Sequence, residues 1–310
     1  MSYQLVVITN VSLNNIMKHL YILVAAIILF SSCKQKEEVP KEWKLSNVVQ
    51  LEGVNPIGIA ELDGKLWLSD GDHNRLVQID EKGNIEKTID SLDRPMHIDA
   101  MNSLIYIPEY GADAISFVHV EDSIALSVAF EDDKIIIAPD SLDAPAAVSV
   151  FKPLNKEGKV SLAIADFYNN RILFMNEDDE EWIFFGKEGK KQGEFYYPTD
   201  VQITDSLIWV ADAYNNRIQA FDKQGNFVKM MGQDQKMNAA TGLFVSEAEV
   251  FITDFENNRV LVFDHDGQLK QELKEGIAKA TDVLIKDGVL HIINYRTSEL
   301  VLYELHEIKE

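Results

Sequence analysis

The chain has 310 residues, one cysteine, and 51 acidic against 29 basic side chains, a formal net charge of −22 at pH 7. That length can bury a sizeable core without disulfides, and a lone cysteine excludes both a disulfide framework and a zinc–thiolate site. So negative a field repels phosphate backbones, which argues against nucleic acid as a partner and suits divalent cations or basic groups.

Residues 1–16 show no targeting pattern and read as an over-long start, with Met17 as the initiator. Met17-Lys18-His19-Leu20 then opens an apolar run from Tyr21 to Phe30 that ends in Ser31-Ser32-Cys33. A basic start, a short apolar stretch and small residues before the break make residues 17–32 a secretory signal peptide. Crossing a bilayer takes about 20 apolar residues, and an uncleaved anchor is the alternative. With Cys33 at its end the segment resembles a bacterial lipoprotein lipobox, although Phe30 stands where such boxes usually carry Leu. The resemblance implies an acylated Cys33 that holds the protein on a membrane, as an outer-membrane lipoprotein. Residues 33–43 read as a polar tether, whose Lys36-Glu37-Glu38 resembles signals that export lipoproteins to the cell surface. Only Lys18 among the first 33 residues is charged, so the mature part carries 28 basic and 51 acidic residues, a net −23.

From about Lys44 the chain repeats a phrase. Asp70-Gly71-Asp72-His73-Asn74-Arg75 returns as Asp166-Phe167-Tyr168-Asn169-Asn170-Arg171, as Asp212-Ala213-Tyr214-Asn215-Asn216-Arg217 and as Asp254-Phe255-Glu256-Asn257-Asn258-Arg259. Degenerate copies start at Glu109 and Asn294, without the Asn-Arg pair. The long gap between 109 and 166 holds an insertion near Glu131-Asp132-Asp133. Repetition at roughly 40 residues signals a modular fold. Each copy follows a short apolar run such as Leu207-Ile208-Trp209-Val210 and precedes another such as Ile218-Gln219-Ala220-Phe221. Turns such as Asp222-Lys223-Gln224-Gly225-Asn226 lead into a third run. A further run opens each unit at Pro56, Pro95, Pro145 and Pro198, and at Thr241 and Thr281 without the proline. Such runs, broken by Asp, Asn and Gly, are antiparallel strands with tight turns. Four strands in each of six units predict an all-β, six-bladed β-propeller over residues 44–310. Two stacked sandwich domains, the alternative, fit the even spacing poorly. The last unit lacks a fourth strand, and Asn47-Val48-Val49-Gln50-Leu51 has the pattern to supply it, which removes an exposed sheet edge.

A Pro-led strand, then Asp, then Asn-Arg and an apolar residue resembles the NHL repeat. The resemblance covers nearly all of the chain from Lys44 and implies a monomeric propeller. It implies no single function, because NHL propellers serve enzymes, RNA binders and protein-binding modules alike.

A role repeated four times is structural before it is catalytic, so the repeated Asp and Asn-Arg residues are expected to fasten hairpins. Ligand chemistry is expected where the repeats differ. The slot two residues after the proline reads Gly58, His97, Ala147, Asp200, Gly242 and Asp282 around the ring. His97, Asp200 and Asp282 alternate there and are candidate ligands for calcium or zinc in the central channel; ordinary Gly and Asp usage at this slot is the alternative. Tyr110, Phe167, Tyr168, Tyr214, Phe255 and Tyr295 lie in loops expected on the same face, as a candidate ligand-binding surface. Packing between blades is the alternative for these rings. The Gly-rich stretch over residues 186–193, with Lys187, Lys190 and Lys191, is a candidate rim loop.

No Ser-His-Asp spacing, nucleotide loop or His-x-x-x-His helix points to another mechanism. The peptide-amidating lyases, which the chain resembles in architecture, hold zinc with three histidines, and only His97 has a counterpart here. Lactonase-like propellers hold a central calcium with Glu, Asn and Asp, and no matching set is placed. The expectation is therefore an envelope-anchored, non-catalytic binding module for a protein, peptide or glycan. The alternative is a metal-dependent lyase or lactonase-like enzyme using the axial His/Asp site.

Overall fold

The computed structural model describes residues 40–121, 124–126, 142–152, 160–176 and 182–308. The over-long start, the signal segment, Cys33, the tether through Val39 and the insertion at Glu131-Asp132-Asp133 lie outside the described residues. Six antiparallel sheets of four strands each form the blades of a propeller, as the repeat spacing predicts. Blades one to five are plain meanders over residues 59–89, 99–126, 145–185, 198–231 and 240–273. The opening strands of neighbouring blades pack side by side around the axis, with that of blade six against that of blade one. No helix among the described residues is long and apolar enough to cross a membrane.

Burial explains which strands stand out in the sequence. The second strand of each blade is sandwiched between neighbouring blades; Ile208–Asp212 and Val250–Asp254 are buried at every position. Strands covered on both faces read as continuous apolar runs. Fourth strands, at the rim, are half-exposed and carry charge, as in Leu269–Leu273. Among the described residues the core divides into apolar clusters, one at each blade interface.

Blade six takes its outermost strand from the N-terminal segment Lys41–Gln50, which pairs with the chain's last strand, Glu299–Glu307. The closure expected from residues 47–51 is thus present. It begins earlier than the sequence suggests, since Lys41, Glu42 and Trp43 belong to the strand and not to the tether. Trp43 is buried edge-on against Phe251, with ring centroids 5.7 Å apart. Its backbone N–H donates to Gln271 Oε1 at 2.8 Å, its carbonyl accepts from Gln271 Nε2 at 2.7 Å, and its indole N–H donates to Glu249 Oε2 at 2.9 Å. Phe251, Gln271 and Glu249 all belong to blade five, so this one residue joins the closing strand to the neighbouring blade.

The repeated residues fasten more than their own hairpins. Asp70, Asp166, Asp212 and Asp254 are fully buried, and each accepts from the Nε of the Arg five residues on, at 2.9, 2.7, 2.8 and 2.6 Å. Their Oδ1 atoms accept backbone N–H groups of Asn55, Asp143, Tyr196 and Asn238, in the lead-in loop of the same blade. Glu109 and Asn294, in the degenerate copies, do the same for Asp93 and Ala278. Asn74, Asn170, Asn216 and Asn258 adopt the left-handed conformation, which asparagine tolerates. Their side-chain oxygens accept N–H groups of Arg94, Tyr197, Ala239 and Lys279 in the next blade at 2.8–3.0 Å. Each hairpin thus clamps its own lead-in loop with the aspartate and the following blade with the asparagine.

Candidate functional site

At the slot after the proline, three small residues alternate with three large polar ones. The small ones let neighbouring backbones touch. A Cβ on Gly58 would lie 2.7 Å from His97 Cα, and one on Gly242 would lie 2.9 Å from Asp282 Cα, distances no side chain tolerates. His97 is held by its backbone, whose N–H donates to Ala146 O at 3.0 Å and whose carbonyl accepts from Val148 N at 3.3 Å. The two aspartates staple blades together. Asp200 accepts from Val201 N at 2.8 Å and, across the gap to blade five, from Leu243 N at 2.7 Å. Asp282 accepts from Val283 N at 2.8 Å and, across the gap to blade one, from Ile59 N at 3.0 Å.

The structure brings His97, Asp200 and Asp282 together, with one ligand-type atom from each within 4.8 Å of the others. His97 Nδ1 lies 3.3 Å from Asp282 Oδ2 and 3.9 Å from Asp200 Oδ2. Neither contact is aligned as a hydrogen bond, so this buried nitrogen faces the two carboxylates with no hydrogen-bond partner. Burial works against the imidazolium, but the two carboxylates outweigh it and hold the His97 pKa above its ordinary value. Burial pushes Asp200 up to about 7, against the pull of His97 and with the push of Asp282.

These residues form the floor of a cavity of about 260 Å³. Its walls are residues that follow the slot along the opening strands, including Asp99, Ser149 and Gln202. Asp99 staples blade two to blade three by accepting from Ala100 N at 2.8 Å and Val150 N at 2.7 Å. Burial raises it to about 6, and those N–H groups offset part of the rise. Asp99 escapes the sequence reading because it lies two places beyond the slot, where no other blade has an acid. The direction of the cavity is also a correction. The aromatic loops and the axial residues are expected on one face, but the loops lie where the opening strands begin. The cavity runs the other way, towards the hairpins that join the first and second strands.

On the loop face, Tyr110, Phe167 and Tyr168 of the six expected aromatic residues meet directly, and Tyr214 is linked to them through two further rings. Two residues that sequence reasoning missed, Tyr196 and Tyr197, join them. Phe167 stacks on Tyr197 at 4.7 Å and 12°, and Tyr197 stacks on Tyr196 at 4.6 Å and 27°. Tyr168 and Tyr214 stand edge-on at the flanks of this stack, 48% and 59% exposed. The Tyr110 hydroxyl donates to that of Tyr168 at 2.7 Å. Tyr196 and Tyr197 precede Pro198 in a lead-in loop, outside the repeated phrase. Their N–H groups are the ones held by Asp212 and Asn170. That clamp keeps Tyr197 at φ +58°, a conformation a bulky residue adopts only when its surroundings impose it.

Phe255 and Tyr295 do not join this crescent. Phe255 lies beneath Lys279 Nζ at 5.2 Å, and the Tyr295 hydroxyl donates to Asp72 Oδ2 at 2.8 Å. The Gly-rich loop is fixed to blade four, because Arg217 donates to the carbonyls of Lys190, Lys191 and Glu194. Its three lysines remain exposed.

No protein-family model and no curated protein matches the chain. Solved structures match in fold. Virginiamycin B lyase from Staphylococcus aureus is 14% identical with a TM-score of 0.57, over 85% of this chain and 99% of that one. A gluconolactonase from Xanthomonas campestris is 13% identical with a TM-score of 0.61, over 86% and 100%. The PQQ-bound aldose sugar dehydrogenase from Streptomyces coelicolor is 12% identical with a TM-score of 0.57, over 86% and 99%. At these identities the likeness establishes the six-bladed propeller, a fold that hosts both enzymes and binding modules.

Proposed function

We propose that the protein is an NHL-type propeller lipoprotein, tethered to the outer membrane and exposed at the cell surface through Cys33. On this reading its crescent, Tyr110, Phe167, Tyr168, Tyr196, Tyr197 and Tyr214, binds a partner protein, peptide or glycan. The observation that carries the proposal is the continuity of six rings across blades two to four, with the flanking rings open to solvent. Rings that serve only as core would be covered; stacked rings edged by tyrosine hydroxyls suit the mixed apolar and hydrogen-bonding surface of a sugar or peptide chain.

Arrays of envelope glycans and peptides test it. Replacing Tyr168 and Tyr214 together by alanine is expected to weaken the best binder at least roughly tenfold, the scale of losing aromatic anchors at a binding surface. The melting temperature should stay unchanged, because both rings are exposed. Undiminished affinity in the double variant, or no binder on either array, would sink the proposal. A second reading, a metal-dependent enzyme working at the axis, is favoured by the unpartnered His97 Nδ1 beside two buried carboxylates.

A further inference from the structure

The axial trio has the features of a built ligand set. His97 is 4% exposed, yet its Nδ1 has no hydrogen-bond partner and faces two carboxylate oxygens. A buried polar atom without a partner is uncommon and calls for an ion or water that completes it. Each aspartate Oδ2 accepts one backbone N–H, from Leu243 or Ile59, which leaves a second lone pair on each oxygen. Those N–H groups, with the clamped backbone of His97, orient the donors before any ligand arrives.

We infer that His97 Nδ1, Asp200 Oδ2 and Asp282 Oδ2 bind one divalent transition-metal ion, of the zinc or manganese class, at the floor of the axial cavity. The donors select the class. Calcium takes six to eight oxygens, whereas one imidazole and two carboxylates suit zinc, manganese and their neighbours. The two carboxylates balance the charge of a divalent ion. Three protein donors leave coordination positions facing the cavity of about 260 Å³, where water or a small ligand completes the shell. The trio lies near the start of the opening strands, but its cavity opens away from the crescent, and the site is independent of the crescent's role.

The test is calorimetric titration of the full chain, without a histidine tag and stripped with chelator, against zinc, manganese and calcium chlorides. One zinc or manganese ion per chain, bound more tightly than calcium and raising the melting temperature, is expected. His97→Phe keeps a ring at the position and removes the nitrogen; it should weaken zinc binding by at least roughly 100-fold, since losing an outer-shell partner alone costs up to about that much. Manganese-loaded wild-type protein should show electron spin-echo modulation from one imidazole nitrogen, a readout that does not depend on the variant's folding. Absence of stoichiometric binding, preference for calcium, undiminished affinity in His97→Phe, or a manganese spectrum without nitrogen coupling would each overturn the assignment.

Discussion

Deleting residues 41–50 is expected to abolish cooperative unfolding of the propeller, not merely to trim one blade. The segment supplies the outermost strand of blade six, and without it the strand Glu299–Glu307 presents unpaired backbone groups at an open edge. Trp43 and Val49 leave the clusters at the two interfaces of blade six. Removing a buried Trp side chain alone costs about 3–5 kcal/mol, a large share of the roughly 5–15 kcal/mol that stabilises a typical domain. Trp43→Ala should therefore lower the melting temperature by roughly 10 °C, and the deletion should leave no sharp calorimetric transition. A deleted chain that melts sharply at the wild-type temperature would show that the closing strand is dispensable.

Asp212→Ala is expected to cost about 3–5 kcal/mol, the range for breaking a buried ion pair and leaving one charge uncompensated. Asp212 is fully buried and accepts from four donors: Tyr196 N, Asn215 Nδ2 at both oxygens, Arg217 Nε and Gln219 Nε2. Its partner Arg217 is only 5% exposed, so the guanidinium cannot turn to water. Asp212→Asn keeps a carbonyl for Tyr196 N–H but loses the charge opposite Arg217, and should cost about 1–3 kcal/mol. Urea unfolding measures both. Equal and small losses would mean that the pair is solvated and that the repeated aspartate does not fasten the blade. Because Asp212 also holds Tyr196, the alanine variant should loosen the crescent, visible as faster amide exchange across residues 193–197.

The fold was legible because its signal is repeated. Second strands are buried on both faces and read as apolar runs, while Asp-x-x-x-Asn-Arg marks each hairpin in the same frame. Trp43 was hidden because a rim strand is half-exposed, so Lys41 and Glu42 before it read as tether. The axial trio was legible once the proline-led strands were aligned, since His97, Asp200 and Asp282 share a slot. The direction of the cavity was not, because it depends on where backbones touch. That contact is set by Gly58 and Gly242 against the next blade, a property of packing and not of pattern. Tyr196 and Tyr197 were missed for a different reason: they lie in a lead-in loop whose position is fixed from Asp212 and Asn170, residues of two different blades.

Repeated residues thus hold the ring, and the proposed ligand chemistry uses unrepeated residues that face opposite ways, the crescent outward on the loop face and the trio into the axial cavity. The crescent is the proposed partner surface and the axis the proposed cation site. The measurement that separates them is equilibrium binding of the same array-derived peptide or glycan by three proteins: wild type, the Tyr168→Ala/Tyr214→Ala double variant and His97→Phe. Binding at the crescent predicts at least roughly tenfold weaker affinity in the double variant and wild-type affinity in His97→Phe. Retained affinity in the double variant, or loss confined to His97→Phe, would contradict it and move the binding function to the axis.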